Sequence, residues 1–119
     1  MRFGYFALLE VPEWTTDEEV LRTTLDVFRL CDDVGFESIH IAEHHVGEYV
    51  CSAPQLVLAN VAAVTKRVRL GTGVAVLPYM HPLLVAEHYA VLDQLSGGRL
   101  EFGVGRGYQP IEFQALGWR

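Results

Sequence analysis

Short β-branched segments alternate with longer helical segments along the chain, and this alternation restricts the fold more than any single motif does. Four segments have the apolar composition of strands, at residues 2–8, 38–42, 68–77 and 100–105. Three helical segments lie between them, at residues 16–34, 52–64 and 82–96. No hairpin signal joins two successive strands. This order predicts right-handed β-α-β crossovers and therefore an α/β fold with a parallel sheet.

The ends of the helical segments carry start and stop signals. Thr16 and Glu19 have the spacing of a capping box, which predicts that the first helix begins there. Gly35 follows the last turn of this helix and suits a left-handed stop. Ser52 predicts the start of the second helix, with Pro54 in its first turn.

Composition excludes several classes of partner. The 119 residues are half apolar, carry a formal charge of −6 and scatter their nine Lys and Arg, so we expect no nucleic-acid partner and no anionic membrane surface. No run approaches the roughly 18 apolar residues of a membrane span, and the first residues lack a leader pattern. Cys31 and Cys51 have no metal or redox spacing, which predicts reduced thiols in a soluble, unprocessed, cytoplasmic protein.

The carboxyl end of the second strand places three ionisable side chains in a row, Glu43, His44 and His45. Desolvating unpaired polar groups costs about 1–3 kcal/mol each, so we expect this strand, covered on both faces, to open onto a cleft at that end. Ligands of parallel α/β folds bind there, and an imidazole beside a carboxylate is suited to proton transfer. The alternative is that one histidine caps the loop and the other packs. Adjacent side chains diverge, so we expect one imidazole to face the cleft.

A metal site is a rival interpretation of the same cluster. His40, His81 and His88 add nitrogen donors, but the chain has no H-E-x-x-H or H-x-H spacing. We interpret His81, which precedes a proline, as a helix cap. We therefore assign no metal ligands and keep a metal-dependent hydrolase as an alternative.

Two glycine-containing segments form the next candidate positions. Gly71 and Gly73 flank Thr72 in the third strand, where glycine is unfavourable unless another backbone or a flat ligand approaches closely. Small residues that fit a barrel interior explain the same pattern, and spacing leaves both interpretations open.

Arg106 follows Gly105 at the end of the fourth strand. The segment is not the dinucleotide-binding fingerprint, because Tyr108 stands where a glycine is required. A guanidinium at this place is suited to hold a phosphate or a carboxylate, and the bare backbone of the flanking Gly105 and Gly107 lets such a ligand come near, so Gly105 is a candidate cofactor-binding residue. The alternative is a surface arginine paired with Glu101 or Glu112.

With these residues in view, the chain resembles the bacterial luciferase-like flavin monooxygenases. The resemblance covers residues 1–118 and rests on several motifs in the same order and at compatible spacing. They are RFGYF in the first strand, AEHH at 42–45, GTGVAVLP at 71–78 followed by HP, LDQLSGGR at 92–99 and FGVGRG at 102–107.

The resemblance implies a site that binds reduced FMN, supplied by a separate flavin reductase, and uses it with O2 to oxidise a small organic substrate. It places His44 beside the reacting flavin edge, where we predict that it handles protons and that Glu43 orients it. His45 lies nearby and is mainly structural. A deazaflavin in place of FMN is an alternative that this stretch leaves open.

Cofactor-binding residues are implied in the same way. Gly73 and Val74, with Thr72 beside them, match a segment that carries the isoalloxazine ring on a non-proline cis peptide. Arg106 matches an arginine that helps to hold the FMN phosphate. Luciferases carry a reactive cysteine at the position of Gly105, so light emission is not implied.

The family fold is a TIM (β/α) barrel, which typically needs about 250 residues. We therefore expect residues 1–119 to be the amino-terminal part of such a barrel domain, its first three to four β/α units. The first and fourth strands would then have open edges, and we expect these residues alone to associate or to be partly disordered. For the parent protein we expect a homodimer formed through the apolar second helix, and we keep a non-catalytic barrel subunit as an alternative.

Overall fold

A computed structural model describes residues 1–117. Its elements in chain order are β1 (Gly4–Ala7), α1 (Asp17–Val34), β2 (Ser38–Ile41), α2 (Pro54–Val64), β3 (Arg69–Thr72), β4 (Ala75–Val76), a 3-10 turn (Leu77–Tyr79), α3 (Pro82–Ser96), β5 (Leu100–Glu101), β6 (Val104–Gly105) and α4 (Pro110–Ala115). Residues 118 and 119 lie outside the described range.

The main sheet contains β1, β2, β3 and β5 in that order, and every pair is parallel. Strands β4 and β6 form a second, smaller parallel pair. Each connection between neighbouring strands of the main sheet contains one of the helices α1, α2 and α3. The predicted α/β fold with a parallel sheet is confirmed, and the strands end at one common rim.

The core lies on the helix-covered face of the main sheet. Ile39 and Ile41 of β2 and Leu70 of β3 are fully buried, and they belong to one cluster with Phe28 of α1 and Leu58 of α2. Burying a side chain of this size contributes about 1.5–3 kcal/mol. This packing fixes the helices against the sheet and so fixes where each strand ends.

The opposite face carries a row of four neighbouring residues, one from each strand: Phe6, His40, Gly71 and Glu101. Phe6 of β1 is 55% exposed, whereas Ser38 and His40 of β2 are half-buried, so within residues 1–117 only the helix side of β2 is fully covered. A Cβ at Gly71 would lie 2.0 Å from His40 Nδ1. Gly71 therefore makes room for a side chain of the sheet rather than for a ligand.

The start and stop signals of α1 act as predicted. Thr16 Oγ1 accepts a hydrogen bond from the Glu19 amide, the Glu19 carboxylate accepts one from the Thr16 amide, and Gly35 has a left-handed φ of 89°. Helix α2 differs, because its N-cap is Ala53, which makes no side-chain cap, rather than Ser52. Proline in the first turn presets the helical backbone, so α2 begins without a side-chain cap.

Each of the two carboxyl-terminal strand segments that the sequence predicted is divided. Residues 68–77 form β3 and β4, and the peptide between Gly73 and Val74 is cis. Residues 100–105 form β5 and β6, and Gly103 lies between them. The Gly103 carbonyl accepts a hydrogen bond from Thr72 Oγ1 at 2.6 Å. A Cβ at Gly103 would lie 2.2 Å from the backbone carbonyl oxygen of Thr72. Both segments bend at this point, and β4 and β6 therefore lie at the rim.

Both cysteines are buried and unpaired, as the sequence predicted. Burial, with a smaller contribution from the Glu43 charge, raises the pKa of Cys51 to about 12, and burial also raises the pKa of Cys31. Both thiols therefore stay protonated at neutral pH. Within residues 1–117 no helix has the length and apolar character needed to cross a membrane.

Candidate functional site

A cavity of about 350 Å³ opens at the carboxyl rim of the strands. It is lined by His44 from the loop after β2, by Gly73 and Val74 between β3 and β4, and by Arg106 after β6. Its remaining wall includes Tyr108, which precedes α4. The fold therefore brings together three segments that the sequence analysis selected separately.

His44 lies in this cavity with 8% of its surface exposed. Its Nδ1 is 2.9 Å from Glu112 Oε1. The imidazole stacks on the Tyr49 ring with centroids 4.5 Å apart, and the Tyr108 ring meets it edge-on at 6.3 Å. The ring is thus held on two sides, and Nε2 is the nitrogen that Glu112 leaves free.

Within the described residues Glu43 makes no side-chain hydrogen bond to His44, and the prediction that it orients His44 is wrong. Its Oε1 is 2.8 Å from His45 Nε2, and its Oε2 accepts a hydrogen bond from the Val76 amide at 2.7 Å. The His45 ring also lies edge-on to Tyr79, with centroids 5.1 Å apart, and is not part of the cavity wall. Successive side chains diverge at the end of β2, so one imidazole of the pair faces the cavity, as predicted.

Glu112 supplies the contact that Glu43 does not. It is 3% exposed, and its carboxylate accepts hydrogen bonds from the His45 amide and the Tyr79 hydroxyl in addition to its contact with His44. Burial alone would raise the pKa of Glu112, but these three hydrogen bonds outweigh it and lower the pKa. Burial and the Glu112 carboxylate raise the pKa of Tyr79 to about 12, so this hydroxyl remains a donor.

Two of the predicted cofactor-binding residues lie behind the cavity wall. Thr72 is 2% exposed, and its hydroxyl donates a hydrogen bond to the Gly103 carbonyl. A Cβ at Gly105 would lie 2.6 Å from Val74 Cγ2, so this glycine allows Val74 to pack against β6. Both residues shape the backbone that carries Gly73 and Val74.

Arg106 has neither of the carboxylate partners that the sequence offered. Glu101 contacts Arg69 and His40, and Glu112 contacts His44. Within the described residues no ion pair joins Arg106 to a carboxylate, and its side chain is exposed at the cavity. The guanidinium therefore faces a space in which an anionic ligand could be bound.

Sequence reasoning missed most of the polar residues around His44. Tyr49 reaches this cluster from the loop between β2 and α2, Tyr79 from the 3-10 turn and Glu112 from α4, and no spacing in the sequence relates them to the AEHH motif. The one available signal for Glu112 was an acidic residue in the first turn after Pro110. In residues 1–117 no group of three or more His, Cys, Asp or Glu side chains is placed to hold a metal ion.

A parallel sheet whose carboxyl rim holds an imidazole, an uncovered glycine backbone and a guanidinium defines a (β/α)-type protein with a candidate small-ligand site at the strand ends. The chain belongs to the luciferase-like monooxygenase family, whose family model matches residues 1–118.

Several relatives of the chain are named as monooxygenases. The chain is 44% identical over 94 residues to 4-hydroxyprotoasukamycin monooxygenase of Streptomyces nodosus subsp. asukaensis, which covers 78% of this chain and 25% of that protein. It is 33% identical to the alkanal monooxygenase alpha chain of the Kryptophanaron alfredi symbiont and 34% identical to the oxygenase component of a flavin-dependent trigonelline monooxygenase of Acinetobacter baylyi. Each of these two matches covers 98% of this chain and 33% of the relative. The chain thus spans about a third or less of the length of these relatives.

Solved structures show the same fold. A monooxygenase from Streptomyces bottropensis matches all of this chain and 37% of its own with a TM-score of 0.94 at 35% identity. The oxygenating constituent of 3,6-diketocamphane monooxygenase from Pseudomonas putida, solved with FMN, also matches all of this chain and 33% of its own, with a TM-score of 0.94 at 25% identity. The coenzyme F420-dependent tetrahydromethanopterin reductase of Methanopyrus kandleri matches 98% of this chain and 30% of its own, with a TM-score of 0.76 at 28% identity. The predicted TIM barrel is confirmed as the fold, of which this chain covers part.

Proposed function

We propose that the protein is the oxygenase of a flavin-dependent monooxygenase that uses reduced FMN and O2 to oxidise a small organic substrate. The single observation that carries this proposal is the cavity that gathers His44, the Gly73–Val74 backbone and Arg106 in a member of the luciferase-like family. We further propose, as the domain assignment, that residues 1–119 are the amino-terminal part of one barrel domain.

The residues of the cavity fit FMN. A cavity of about 350 Å³ lies within the usual range for small-ligand sites. Gly73 presents backbone without a side chain to the cavity, and a Cβ there would lie 3.0 Å from the Phe6 ring of β1. The exposed guanidinium of Arg106 suits a phosphate, to which it can donate two parallel hydrogen bonds.

Bound reduced FMN would supply the two electrons needed for the reductive cleavage of O2. One oxygen atom would enter the substrate, and the other would leave as water. The chain's own residues bind and orient the reactants. Arg106 holds the phosphate, the Gly73–Val74 backbone supports the ring, and Val76 and Tyr108 limit the access of water. His44 donates or accepts the proton at Nε2.

A separate reductase is proposed as the source of reduced FMN, because the trigonelline relative is named as the oxygenase component of its enzyme. The reductase of Methanopyrus kandleri favours a second candidate, an oxidoreductase that uses coenzyme F420, a deazaflavin, in the same cavity. We also propose a cytoplasmic location, since both buried thiols are unpaired.

Cofactor choice is tested with the full gene product by titrating FMN and coenzyme F420 separately and following flavin absorbance. We expect saturable binding of FMN, and with a flavin reductase and NADH we expect O2 uptake that depends on an added organic substrate. Binding of coenzyme F420 alone would support the second candidate. Binding of neither cofactor would support a non-catalytic barrel subunit and contradict the proposal.

The role of His44 is tested by substitution. His44→Ala should reduce substrate oxidation by about 100-fold or more while FMN still binds, because the proton-transferring group is lost. The matched control is His81→Ser, since His81 caps α3 by accepting from the Leu83 amide and a serine hydroxyl can take over that contact. Unchanged turnover of His44→Ala would contradict the assignment.

We propose that the protein forms a homodimer through α2 and α3. A groove of about 380 Å³ runs between these helices and is lined mainly by apolar side chains. Leu56 of α2 is 70% exposed, and Val91 and Leu95 of α3 are 58% and 64% exposed. Apolar area of this kind on a soluble protein marks an interface, and a second copy would present the same complementary surface.

A further inference from the structure

The strongest unassigned feature of the site is the carboxylate of Glu112. It lies on α4, 68 residues away in sequence from His44, yet its Oε1 is 2.9 Å from His44 Nδ1. We infer that Glu112 is the positioning residue of this site, and that it fixes His44 in the tautomer with the proton on Nδ1. This inference rests on the proposed proton-handling role of His44.

The orientation of Glu112 is fixed by donors on both of its oxygens. Oε1 also accepts from the His45 amide at 2.9 Å, and Oε2 accepts from the Tyr79 hydroxyl at 3.0 Å. At 3% exposure water has little access to the carboxylate. It therefore has one well-defined position relative to the imidazole.

The same contacts decide the tautomer of His44. The hydrogen bonds to Glu112 lower the pKa of this carboxyl despite its burial, so Glu112 is ionised at neutral pH. An ionised carboxylate only accepts hydrogen bonds, so His44 Nδ1 must be the donor. In neutral His44 the remaining ring nitrogen, Nε2, is then unprotonated. In this form Nε2 can accept a proton.

Among the residues that the structure describes, the other charged groups near His44 do not replace this contact. The Glu43 carboxylate is engaged by His45 and by the Val76 amide. Arg106 lines the same cavity, but a guanidinium is a donor and cannot hold an Nδ1 proton. The neighbouring rings of Tyr49 and Tyr108 restrict tilt of the imidazole, and neither ring stacking nor edge contact selects a tautomer.

The test is a nitrogen NMR measurement on the full gene product with 15N-labelled histidine and without cofactor. In the wild type we expect the neutral His44 ring to show a protonated Nδ1 and an unprotonated Nε2. In Glu112→Gln, which keeps the shape but removes the charge, we expect a shift toward the form protonated on Nε2. Glu112→Asp, which keeps the carboxylate, should restore the wild-type pattern in part.

A matched control is Glu101→Gln. Glu101 contacts a different histidine, with Oε2 3.3 Å from His40 Nε2, so the same change of charge should move the His40 signals and leave those of His44 in place. Tyr79→Phe removes one donor from Glu112 but keeps the carboxylate charge and its contact with His44, so we expect His44 to stay protonated on Nδ1. If Glu112→Gln fails to fold, Glu112→Asp keeps the test decisive, because its shorter side chain moves the carboxylate away from Nδ1 and should give a partial shift toward Nε2.

Kinetics separate this inference from the proposed function. Glu112→Gln should lower kcat by about 10- to 100-fold, with KM and FMN affinity nearly unchanged, because it acts through His44. A wild-type His44 protonated on Nε2, or an unchanged tautomer in Glu112→Gln, would overturn the inference even if His44→Ala is inactive. Full activity of His44→Ala would instead refute the role of His44 and leave the tautomer result standing.

Discussion

Asp32 illustrates, at the scale of single residues, how a buried charge organises a connection outside the site. It lies in α1 with 7% exposure, and its carboxylate accepts hydrogen bonds from the amides of Lys66, Arg67 and Val68. These three amides lead into β3, so one side chain ties the first helix to the start of the third strand. Burial opposes ionisation, but the three amides and the Arg67 charge outweigh it and lower the pKa of Asp32.

We predict that Asp32→Asn lowers the free energy of unfolding of the full gene product by about 1–3 kcal/mol at neutral pH, because a buried amide loses its acceptor. The pKa of Asp32 is lower in the folded than in the unfolded protein. The contribution of Asp32 to the free energy of unfolding is therefore complete above the unfolded-state pKa of about 4, and it is lost as the pH falls through the folded-state pKa. Chemical denaturation of both proteins between about pH 7 and pH 3 should show the difference shrinking toward acid.

The neighbouring residue provides the control for that measurement. Asp33 is exposed on the same helix, and Asp33→Asn should change stability by no more than about 0.5 kcal/mol. A difference between wild type and Asp32→Asn that is constant with pH would show that the charge of Asp32 does not stabilise the fold.

Between elements, the contact of β4 with β6 depends on one glycine. Val76 of β4 lies beside Gly105 of β6, and a Cβ at Gly105 would lie 2.6 Å from Val74 Cγ2. The same two strands carry Gly73, Val74 and the chain that leads to Arg106, so their spacing sets the width of the cavity. Positions 74 and 105 are therefore packed as a pair.

We predict that Gly105→Ala destabilises the full gene product by about 1–3 kcal/mol, because the new methyl group overpacks against Val74. Val74→Ala removes the obstructing methyl groups, so the double variant should be more stable than the sum of the two single changes implies. Thermal or chemical denaturation of all four proteins gives the interaction energy, which we expect to be at least about 0.5 kcal/mol. Strictly additive losses would mean that the two positions do not contact each other.

At the scale of the whole molecule, two faces stay uncovered within the described residues. One is the sheet face that carries Phe6, His40 and Glu101, and the other is the mainly apolar groove between α2 and α3 that carries Leu56 and Leu95. Strands β1 and β5 are each paired on one side within the described residues. Both helices of the groove are complete. We therefore propose that the homodimer forms through this groove and not through the sheet.

We predict that Leu95→Glu converts the proposed dimer to monomer, because a buried unpaired carboxylate opposes association. Leu30→Glu is the matched control, since Leu30 is 57% exposed on α1 and lies outside the groove. Sedimentation equilibrium of the full gene product measures the result. A dimer that survives Leu95→Glu, or a monomeric wild type, would remove α2 and α3 as the interface.

The sequence by itself determined the order of elements, the capping of α1 by Thr16, the stop at Gly35 and the delivery of His44 to a strand end. These features depend on residues within one or two turns of each other, where backbone preference and periodicity act directly. The α/β class followed from the same local information.

Only the tertiary structure decided which carboxylate contacts His44, because Glu43 is adjacent in sequence but turns toward His45, whereas Glu112 arrives from 68 residues away. It also decided that residues 68–77 and 100–105 each divide into two strands, since their bends depend on the contact of Gly103 with Thr72. Hydrogen-bond partners are selected by distance in space, and local periodicity carries no information about that distance.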